Sequence, residues 1–133
     1  MPGNFFDSNV LLYLASSDEK ADRAEAILAK GGAISVQVLN EVASVARRKM
    51  RMSWMDTHAL LAVLRGLLAI HPITLETHEA GLLLAERYTL SIFDAMIAAA
   101  ALQAGCDTLL SEDMHHGMVL TEGLRITNPF RTQ

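Results

Sequence analysis

Short apolar segments alternate along this chain with longer segments in which apolar residues recur at helical spacing. The alternation predicts an α/β domain, because each parallel strand needs a crossover helix to reach the next strand. We expect three layers, α/β/α, with helices on both faces of a mostly parallel central sheet. The 133 residues suit one domain over residues 1–133. The strand-like segments are residues 5–6, 33–36, 69–74, 107–111 and 124–127.

Local signals predict where some of these elements begin and end. Ser8 or Asn9 can cap the helical turn that follows the first strand. Thr77 or Glu79 is expected to begin a later helix. Pro72 favours an edge position for its strand, because proline has no N–H to donate to a neighbouring strand.

The composition argues against several classes of function. The 15 acidic and 11 basic residues give a formal net charge of -4, which argues against holding nucleic acid mainly by overall positive charge. Binding of nucleic acid through metal ions stays possible. The single cysteine, Cys106, excludes an intramolecular disulfide and a cysteine-rich zinc site. With no charge-free run long enough for a membrane span and no export signal, we expect a soluble cytoplasmic protein without a membrane partner.

Four acidic residues stand where the predicted secondary structure does not require them. Asp7 and Asp113 directly follow predicted strands. Glu41 lies in the first turns of the helix after the second strand, and Asp94 in the first turn of an almost wholly apolar helix. Because the carboxyl ends of parallel strands open into one crevice, we expect all four side chains to reach the same site.

Four carboxylates in one crevice repel each other unless a cation lies between them. Oxygen ligands suit Mg²⁺ or Mn²⁺, and these ions activate water and stabilise charge on a phosphate. The set therefore predicts a metal-dependent nuclease or phosphatase. Taken singly, Asp7 and Asp94 also fit carboxylates at helix N-termini, Glu41 fits a solvated helix residue, and Asp113 fits a turn residue.

Basic residues and histidines offer two further candidate sites. The chain has one cluster of basic residues. It can contact RNA phosphates, or it can be the solvated C-terminal end of a helix, and the second explanation is favoured. His115 and His116 do not share a helix face and have no third histidine nearby, so we expect a surface loop rather than a zinc site. The basic cluster consists of Arg47, Arg48, Lys49 and Arg51.

The segments around the four acids resemble those of the PIN-domain ribonucleases, and within that family the toxins of VapBC-type toxin–antitoxin pairs. The resemblance covers nearly the whole chain. Ser8 departs mildly from the family pattern, in which threonine is common at this position. The matching segments are residues 5–13, 40–41, 91–97, 109–114 and the closing strand at 124–130.

The resemblance implies a three-layer α/β fold and cleavage of RNA that depends on Mg²⁺ or Mn²⁺. By the same resemblance, Asp7 and Asp94 are direct metal ligands, and Asp113 is a direct or water-mediated ligand. Glu41 is a ligand or positions the attacking water.

The resemblance also implies supporting residues and partners. Ser8 and Ser111 would hydrogen-bond the carboxylates, a role for which hydroxyl groups are suited. The partners would be an RNA substrate, a second copy in a homodimer, and a cognate antitoxin. The antitoxin would block the crevice, often with a basic side chain that replaces the charge of the metal.

Two other classes of function stay open. A phospho-receiver-like domain would pair a second acid with Asp7 and carry a late lysine, whereas the last lysine here is Lys49. A non-catalytic α/β interaction module would leave the acids solvated and should not bind Mn²⁺. A nucleotide-binding module is disfavoured, because the chain has no glycine-rich phosphate loop.

Overall fold

A computed structural model describes residues 3–131. Two short 3₁₀ turns, Tyr13–Ala15 and Thr121–Gly123, accompany the regular elements. The strands are Asn4–Phe6 (β1), Ala33–Ser35 (β2), Ala69–His71 (β3), Thr108–Leu110 (β4) and Arg125–Thr127 (β5). The helices are Ser8–Leu12 (α1), Lys20–Leu28 (α2), Val36–Arg48 (α3), Trp54–Leu67 (α4), Leu75–Tyr88 (α5) and Ile92–Gln103 (α6).

The five strands form one sheet in the order β3-β2-β1-β4-β5, and every neighbouring pair is parallel. The predicted α/β fold is confirmed, with six helices flanking the sheet. The chain runs outward from β1 through β2 to β3 and then returns to β4 on the other side of β1. The strand order therefore reverses between β1 and β4, the point at which ligands bind in open α/β sheets. The flavodoxin-like order of receiver domains, 2-1-3-4-5, is different, so the phospho-receiver alternative is wrong.

The core lies along the central strands and around α6. Phe5 and Phe6 of β1 are fully buried, as is Leu109 of β4. Helix α6 packs against β2, β4 and α5, and its residues 95–101 are all buried, which explains its almost unbroken apolar sequence. The first turn of α6 thus lies outside this enclosed stretch, and it carries the half-buried Asp94 directly before it. Within residues 3–131, no helix is both long and apolar enough to cross a membrane.

Two predicted helix starts and one strand end are wrong, each for a local reason. Asp7, rather than Ser8 or Asn9, caps α1, because its backbone is extended and its side chain accepts from the Ser8 N–H. Helix α5 begins at Leu75, because Thr74 and Thr77 form a reciprocal capping box that places Thr77 inside the first turn. Strand β3 ends at His71, immediately before Pro72, and lies at the sheet edge as predicted. The other predicted strand segments are confirmed, although each regular strand has only three residues.

Gly32 is the position that most closely limits how β2 approaches β1. A Cβ added there would lie 2.6 Å from the Asn4 carbonyl oxygen and 2.6 Å from Cε2 of Phe6, at a φ of +149°. We expect Gly32→Ala to lower the free energy of unfolding by about 3 kcal/mol, from backbone strain and overpacking together. Gly31→Ala is the matched control, because Gly31 also has a positive φ but open space around an added Cβ.

Denaturant unfolding of the two variants separates strain from contact. The free energy of unfolding of Gly31→Ala should fall by only about 1–2 kcal/mol, which is the cost of placing an alanine in the left-handed conformation. Equal losses in Gly31→Ala and Gly32→Ala would show that contact with β1 does not constrain this position.

Candidate active site

Asp7 lies at the end of the central strand and is only 4% exposed. Its backbone N–H donates to the Leu110 carbonyl oxygen of β4 at 2.9 Å, which fixes the residue beside the neighbouring strand. Its Oδ1 accepts from the Ser8 N–H at 2.7 Å. Its Oδ2 accepts from Ser111 Oγ at 2.8 Å and from Asn9 Nδ2 at 3.2 Å. Both carboxylate oxygens are therefore held in place by donors.

Ser111 links the end of β4 to this carboxylate. Its backbone N–H donates to the Thr127 carbonyl oxygen of β5 at 3.0 Å. Its hydroxyl oxygen accepts from the Met114 N–H at 3.1 Å, so the single hydroxyl proton is directed at Asp7. The predicted contact geometry is present, while the role of Ser111 in supporting a metal ligand stays a prediction.

Glu41 reaches the same crevice from the second turn of α3. Ser8 lies between the two acids, because its hydroxyl donates to Glu41 Oε1 at 2.9 Å and is 3.5 Å from Asp7 Oδ1. Gln37, one turn earlier in α3, donates from Nε2 to Glu41 Oε2 at 3.3 Å. The same Nε2 donates to the Phe93 carbonyl oxygen at 2.9 Å, which ties α3 to the first turn of α6.

Asp94 and Asp113 complete the set from the other side of the crevice. Asp94 is the third residue of α6, and its backbone N–H donates to the Oγ of the capping residue Ser91 at 3.1 Å. Its side chain is half-buried, whereas Asp113 is exposed in the loop that follows β4. Burial raises the pKa of Asp94, and the charge of Asp113 raises it further.

Burial, more than neighbouring charge, sets the pKa of Asp7. Burial raises the pKa of Asp7 from 3.8 to about 6, against the lowering effect of hydrogen bonds from Ser111 and Ser8. The charges of Glu41 and Asp94 also raise it. The charges of Glu41 and Asp94 thus act on Asp7, and the charge of Asp113 acts on Asp94, while the assignment of all four to one metal site stays a prediction.

The single ion pair among residues 3–131 joins Lys20 of α2 to Glu112 and does not neutralise any of the four acids. Tyr13 Oη also donates to Glu112, at 2.7 Å, and the Lys20 Nζ lies 5.3 Å from the centre of the Tyr13 ring. The Glu112 backbone N–H donates to Asn9 Oδ1 at 3.1 Å. These contacts fasten the loop that carries Asp113 to the first helices of the chain.

Comparison with known families identifies this arrangement. A sequence profile of the PIN domain matches residues 5–117, which include all four acids. The chain belongs to the PIN-domain family. No curated protein matches the chain significantly.

Several solved structures share this fold at low sequence identity. A toxin–antitoxin complex from Klebsiella pneumoniae is similar with a TM-score of 0.72 and 23% identity, over 97% of this chain and 99% of that chain. The Mycobacterium tuberculosis toxin VapC20, which cleaves the sarcin–ricin loop, has a TM-score of 0.69 and 19% identity, over 83% and 91%. DNA-bound VapBC from Salmonella typhimurium has a TM-score of 0.64 and 20% identity, over 97% and 99%.

PIN domains typically use a divalent metal ion, and the side chains in this crevice fit one. All the candidate donors are carboxylate oxygens, the ligand type that Mg²⁺ and Mn²⁺ prefer. The buried Asp7 carboxylate also lacks a basic side-chain partner within residues 3–131, so a cation would offset its charge. In the same part of the chain, however, no three His, Cys, Asp or Glu side chains converge closely enough to form a ready-made metal cage. The acids would have to rotate towards an ion or reach it through water.

The basic cluster of this PIN domain lies at the C-terminal end of α3, about 10 Å along the helix axis from Glu41. The Arg47 guanidinium lies 4.3 Å from the centre of the Trp54 ring. Arg48 Nε donates to Ser44 Oγ at 3.0 Å, and the other two basic residues of the cluster are exposed. This placement agrees with the helix C-terminus interpretation and leaves Arg48 at the same surface as Glu41.

The adjacent histidines lie in the loop between β4 and β5, as expected. His115 is exposed, and His116 Nδ1 accepts from the Asn128 N–H at 2.9 Å. A structural role in the loop therefore accounts for His116.

Two side chains of the site were missed by sequence reasoning. Asn9 donates to Asp7 and accepts from the Glu112 N–H, so it bridges α1 and the loop after β4. Gln37 holds Glu41 from one helical turn away. The spacing of Gln37 four residues before Glu41 was the available signal, because residues at that spacing share a helix face.

The raised pKa of Asp7 predicts how stability changes with pH when metal is removed. Because the folded protein binds the Asp7 proton more tightly than the unfolded chain does, this residue makes stability fall as pH rises from about 4 to about 6. Asp7→Asn should remove that fall. Relative to wild type in EDTA, the free energy of unfolding of the variant should improve by up to about 3 kcal/mol between pH 4 and pH 7, at about 1.4 kcal/mol for each unit of pKa shift.

Chemical denaturation at several pH values measures this difference. The change of Asp7 also alters hydrogen bonds with Ser8 and Ser111, so the informative quantity is the pH dependence and not the offset at one pH. A difference between variant and wild type that stays constant from pH 4 to pH 7 would contradict the raised pKa.

Proposed function

We propose that this protein is an endoribonuclease that depends on Mg²⁺ or Mn²⁺ and acts as the toxin of a toxin–antitoxin pair. The observation that carries the proposal is the buried Asp7 carboxylate at the switch point of the sheet. Its charge is costly there, both oxygens are fixed by donors, and the charges of Glu41 and Asp94 act on it. Membership of the PIN-domain family supports nuclease chemistry at this position.

In this proposal Asp7 and Asp94 hold the metal directly, and Asp113 does so directly or through water. The bound ion would supply activation of water and stabilisation of the charge that develops on the phosphate. The three residues are presented from three elements. The Asp7 carboxylate is oriented by Ser111 and its neighbours, the Asp94 backbone is held by the cap of α6, and Asp113 follows Glu112 in the fastened loop after β4.

Glu41 has a different position and a different proposed role. Its two oxygens receive hydrogen bonds from Ser8 Oγ and Gln37 Nε2, which orient the carboxylate without a basic partner. In this orientation it can direct a water molecule at the phosphorus atom and accept a proton from it. Attack by that water breaks a phosphodiester P–O bond, and the leaving oxygen takes up a proton.

The RNA strand would follow α3 away from the acids. Arg48 lies at the far end of the same helix as Glu41 and has exposed guanidinium surface. A phosphate beyond the cleaved one would contact it, and Lys49 and Arg51 would add to the positive field. Arg47 contributes less, because its guanidinium is stacked on Trp54.

Asp94→Asn tests the proposed metal site with a closely matched control. Asp56 also occupies the third position of a helix, and its N–H likewise donates to a capping serine, Ser53. We expect Asp94→Asn to reduce Mg²⁺-dependent cleavage of a defined RNA by at least about 100-fold, since outer-shell changes alone cost 10–100-fold. Asp56→Asn should cleave as wild type does.

A second readout separates metal binding from catalysis. Mn²⁺ should raise the melting temperature of the wild type and of Asp56→Asn, and EDTA should reverse the increase. Asp94→Asn should show a smaller increase at the same Mn²⁺ concentration. Full cleavage by Asp94→Asn, or cleavage by the wild type in EDTA, would refute the metal-site assignment. A wild type that neither binds Mn²⁺ nor cleaves RNA would favour the non-catalytic interaction module.

Two observations support the toxin role: the family to which the chain belongs, and the complexes in which similar chains occur. Similar chains occur in a toxin–antitoxin complex from Klebsiella pneumoniae and in DNA-bound VapBC from Salmonella typhimurium. We propose an antitoxin that covers the acids with a basic side chain, and a homodimer of this chain. Exposed apolar side chains at the start of α4, Trp54 at 61% and Met55 at 81%, provide surface for such contacts.

Expression in a bacterial host tests the toxin role. We expect the wild type and Asp56→Asn to arrest growth, and Asp94→Asn to be harmless at equal protein level, because arrest requires RNA cleavage. Growth curves with immunoblots measure both quantities. Normal growth with wild type that is abundant, free of antitoxin and active on RNA in vitro would contradict the toxin role while leaving the nuclease assignment intact.

A further inference from the structure

A cavity of about 540 Å³ lies beside the proposed catalytic acids, and we name it the side pocket. This volume falls in the range of protein sites that hold small organic ligands. Glu41 belongs both to the pocket wall and to the acid cluster, so the pocket opens directly onto the proposed cleavage position. Its apolar walls are Val36, Ile73 and Phe93, and its polar walls include Asn40, Glu41 and Ser44.

Phe93 is the most unusual residue of the side pocket. Its side chain is 68% exposed, although it lies in the first turn of the most buried helix and directly precedes Asp94. Its backbone is fixed, because its carbonyl oxygen accepts from Gln37 Nε2 at 2.9 Å. Core packing therefore does not explain this aromatic ring, and the backbone that carries it is held next to the acids.

The polar wall of the side pocket suits a flat ligand with hydrogen-bonding edges. Asn40 is exposed on α3 and offers both an amide donor and an amide acceptor. Ser44, one turn further along the helix, accepts from Arg48 Nε at 3.0 Å. The pocket is thus bordered by carboxylates at one end and by an arginine at the other.

We infer that the side pocket holds one unpaired nucleobase of the RNA, stacked on Phe93, next to the phosphate that is cleaved. This inference rests on the proposed function. An apolar floor with an amide and a hydroxyl at the rim matches a base, which has an apolar face and polar edges. The charges at the two ends match the flanking backbone, with a metal-binding acid cluster for one phosphate and Arg48 for another.

A second copy of this chain is the competing occupant of the same surface. The pocket walls argue against it, because an apolar partner face would bury the Glu41 carboxylate and the Asn40 amide without replacing their water contacts. A nucleobase leaves Glu41 at the open end and can bond Asn40 through its edge. The oligomeric state must therefore be measured together with RNA binding.

Fluorescence anisotropy with a labelled single-stranded RNA tests the inference. The Asp7→Asn background keeps the RNA uncleaved, and Mn²⁺ is present throughout. We expect Phe93→Ala to weaken binding about tenfold, within the range for loss of one aromatic–base stack, and Phe93→Trp to retain affinity. Leu83→Ala on α5 is the matched control, because Leu83 is also 68% exposed but lies outside the side pocket.

Abasic probes give the decisive comparison. A base is removed at one position of the RNA at a time, and each probe is measured with the background protein and with Phe93→Ala. At one position of the RNA, loss of the base should weaken binding to the background protein about tenfold. Loss of the same base should not weaken binding to Phe93→Ala any further, because the two changes remove the same stack. In the protein with Asp7 intact, Phe93→Ala should raise KM about tenfold with little change in kcat.

The outcomes distinguish this inference from the proposed function. Unchanged affinity in Phe93→Ala, with RNA still cleaved by the wild type and not by Asp94→Asn, overturns the base pocket and leaves the nuclease standing. Loss of affinity that accompanies dissociation of a dimer in light scattering assigns Phe93 to a contact between copies and also overturns it. A wild type that neither binds nor cleaves RNA overturns both.

Discussion

The rest of the site depends on the parallel pairing of β1 with β4. That pairing aligns Phe6 with Leu110, so the residues that follow, Asp7 and Ser111, leave the sheet side by side. The hydroxyl of one then meets the carboxylate of the other at 2.8 Å. Because the strand order reverses at this pair, the crossover connections on its two sides diverge, which leaves a crevice at this edge of the sheet.

Burial of a carboxylate at this position costs free energy, and the fixed hydrogen bonds to its oxygens offset part of that cost. Asp7 performs two tasks, since it caps α1 and lies at the centre of the acid cluster. The capping interaction engages Oδ1, and the hydrogen bonds from Ser111 and Asn9 engage Oδ2. The helix-capping and acid-cluster interpretations of Asp7 therefore do not exclude each other, and the cap keeps the side chain from turning away from its neighbours.

The fold class and the strand segments could be predicted from the sequence, because both depend on local periodicity and on the geometry of parallel sheets, whereas the assignment of the four acids to one metal site stays a prediction. The hydrogen bonds within the site could not be predicted in the same way. Ser8 bridges two acids 34 positions apart in the chain, and Gln37 reaches the carbonyl of Phe93, so both contacts depend on how α3 and α6 pack on the sheet. The start of α5 was misplaced for a different reason, because Thr74 and Thr77 both suit a cap and only the backbone distinguishes them.

Overall composition does not indicate whether this protein can bind RNA. The net charge of -4 and the 5% aromatic content describe averages, whereas recognition depends on where individual groups lie. In the proposed site, four of the 15 acidic residues would share one crevice, so each bound divalent ion would cancel half of their combined charge and turn a repulsive opening into an attractive one. A chain with few aromatic residues can still place one of them, Phe93, at the edge of that crevice with most of its ring in solvent. In the proposed complex, a bound metal ion and the Phe93 ring would act at the same point on the RNA strand, with Arg48 at a neighbouring phosphate, so a net negative charge does not prevent the binding of a polyanion.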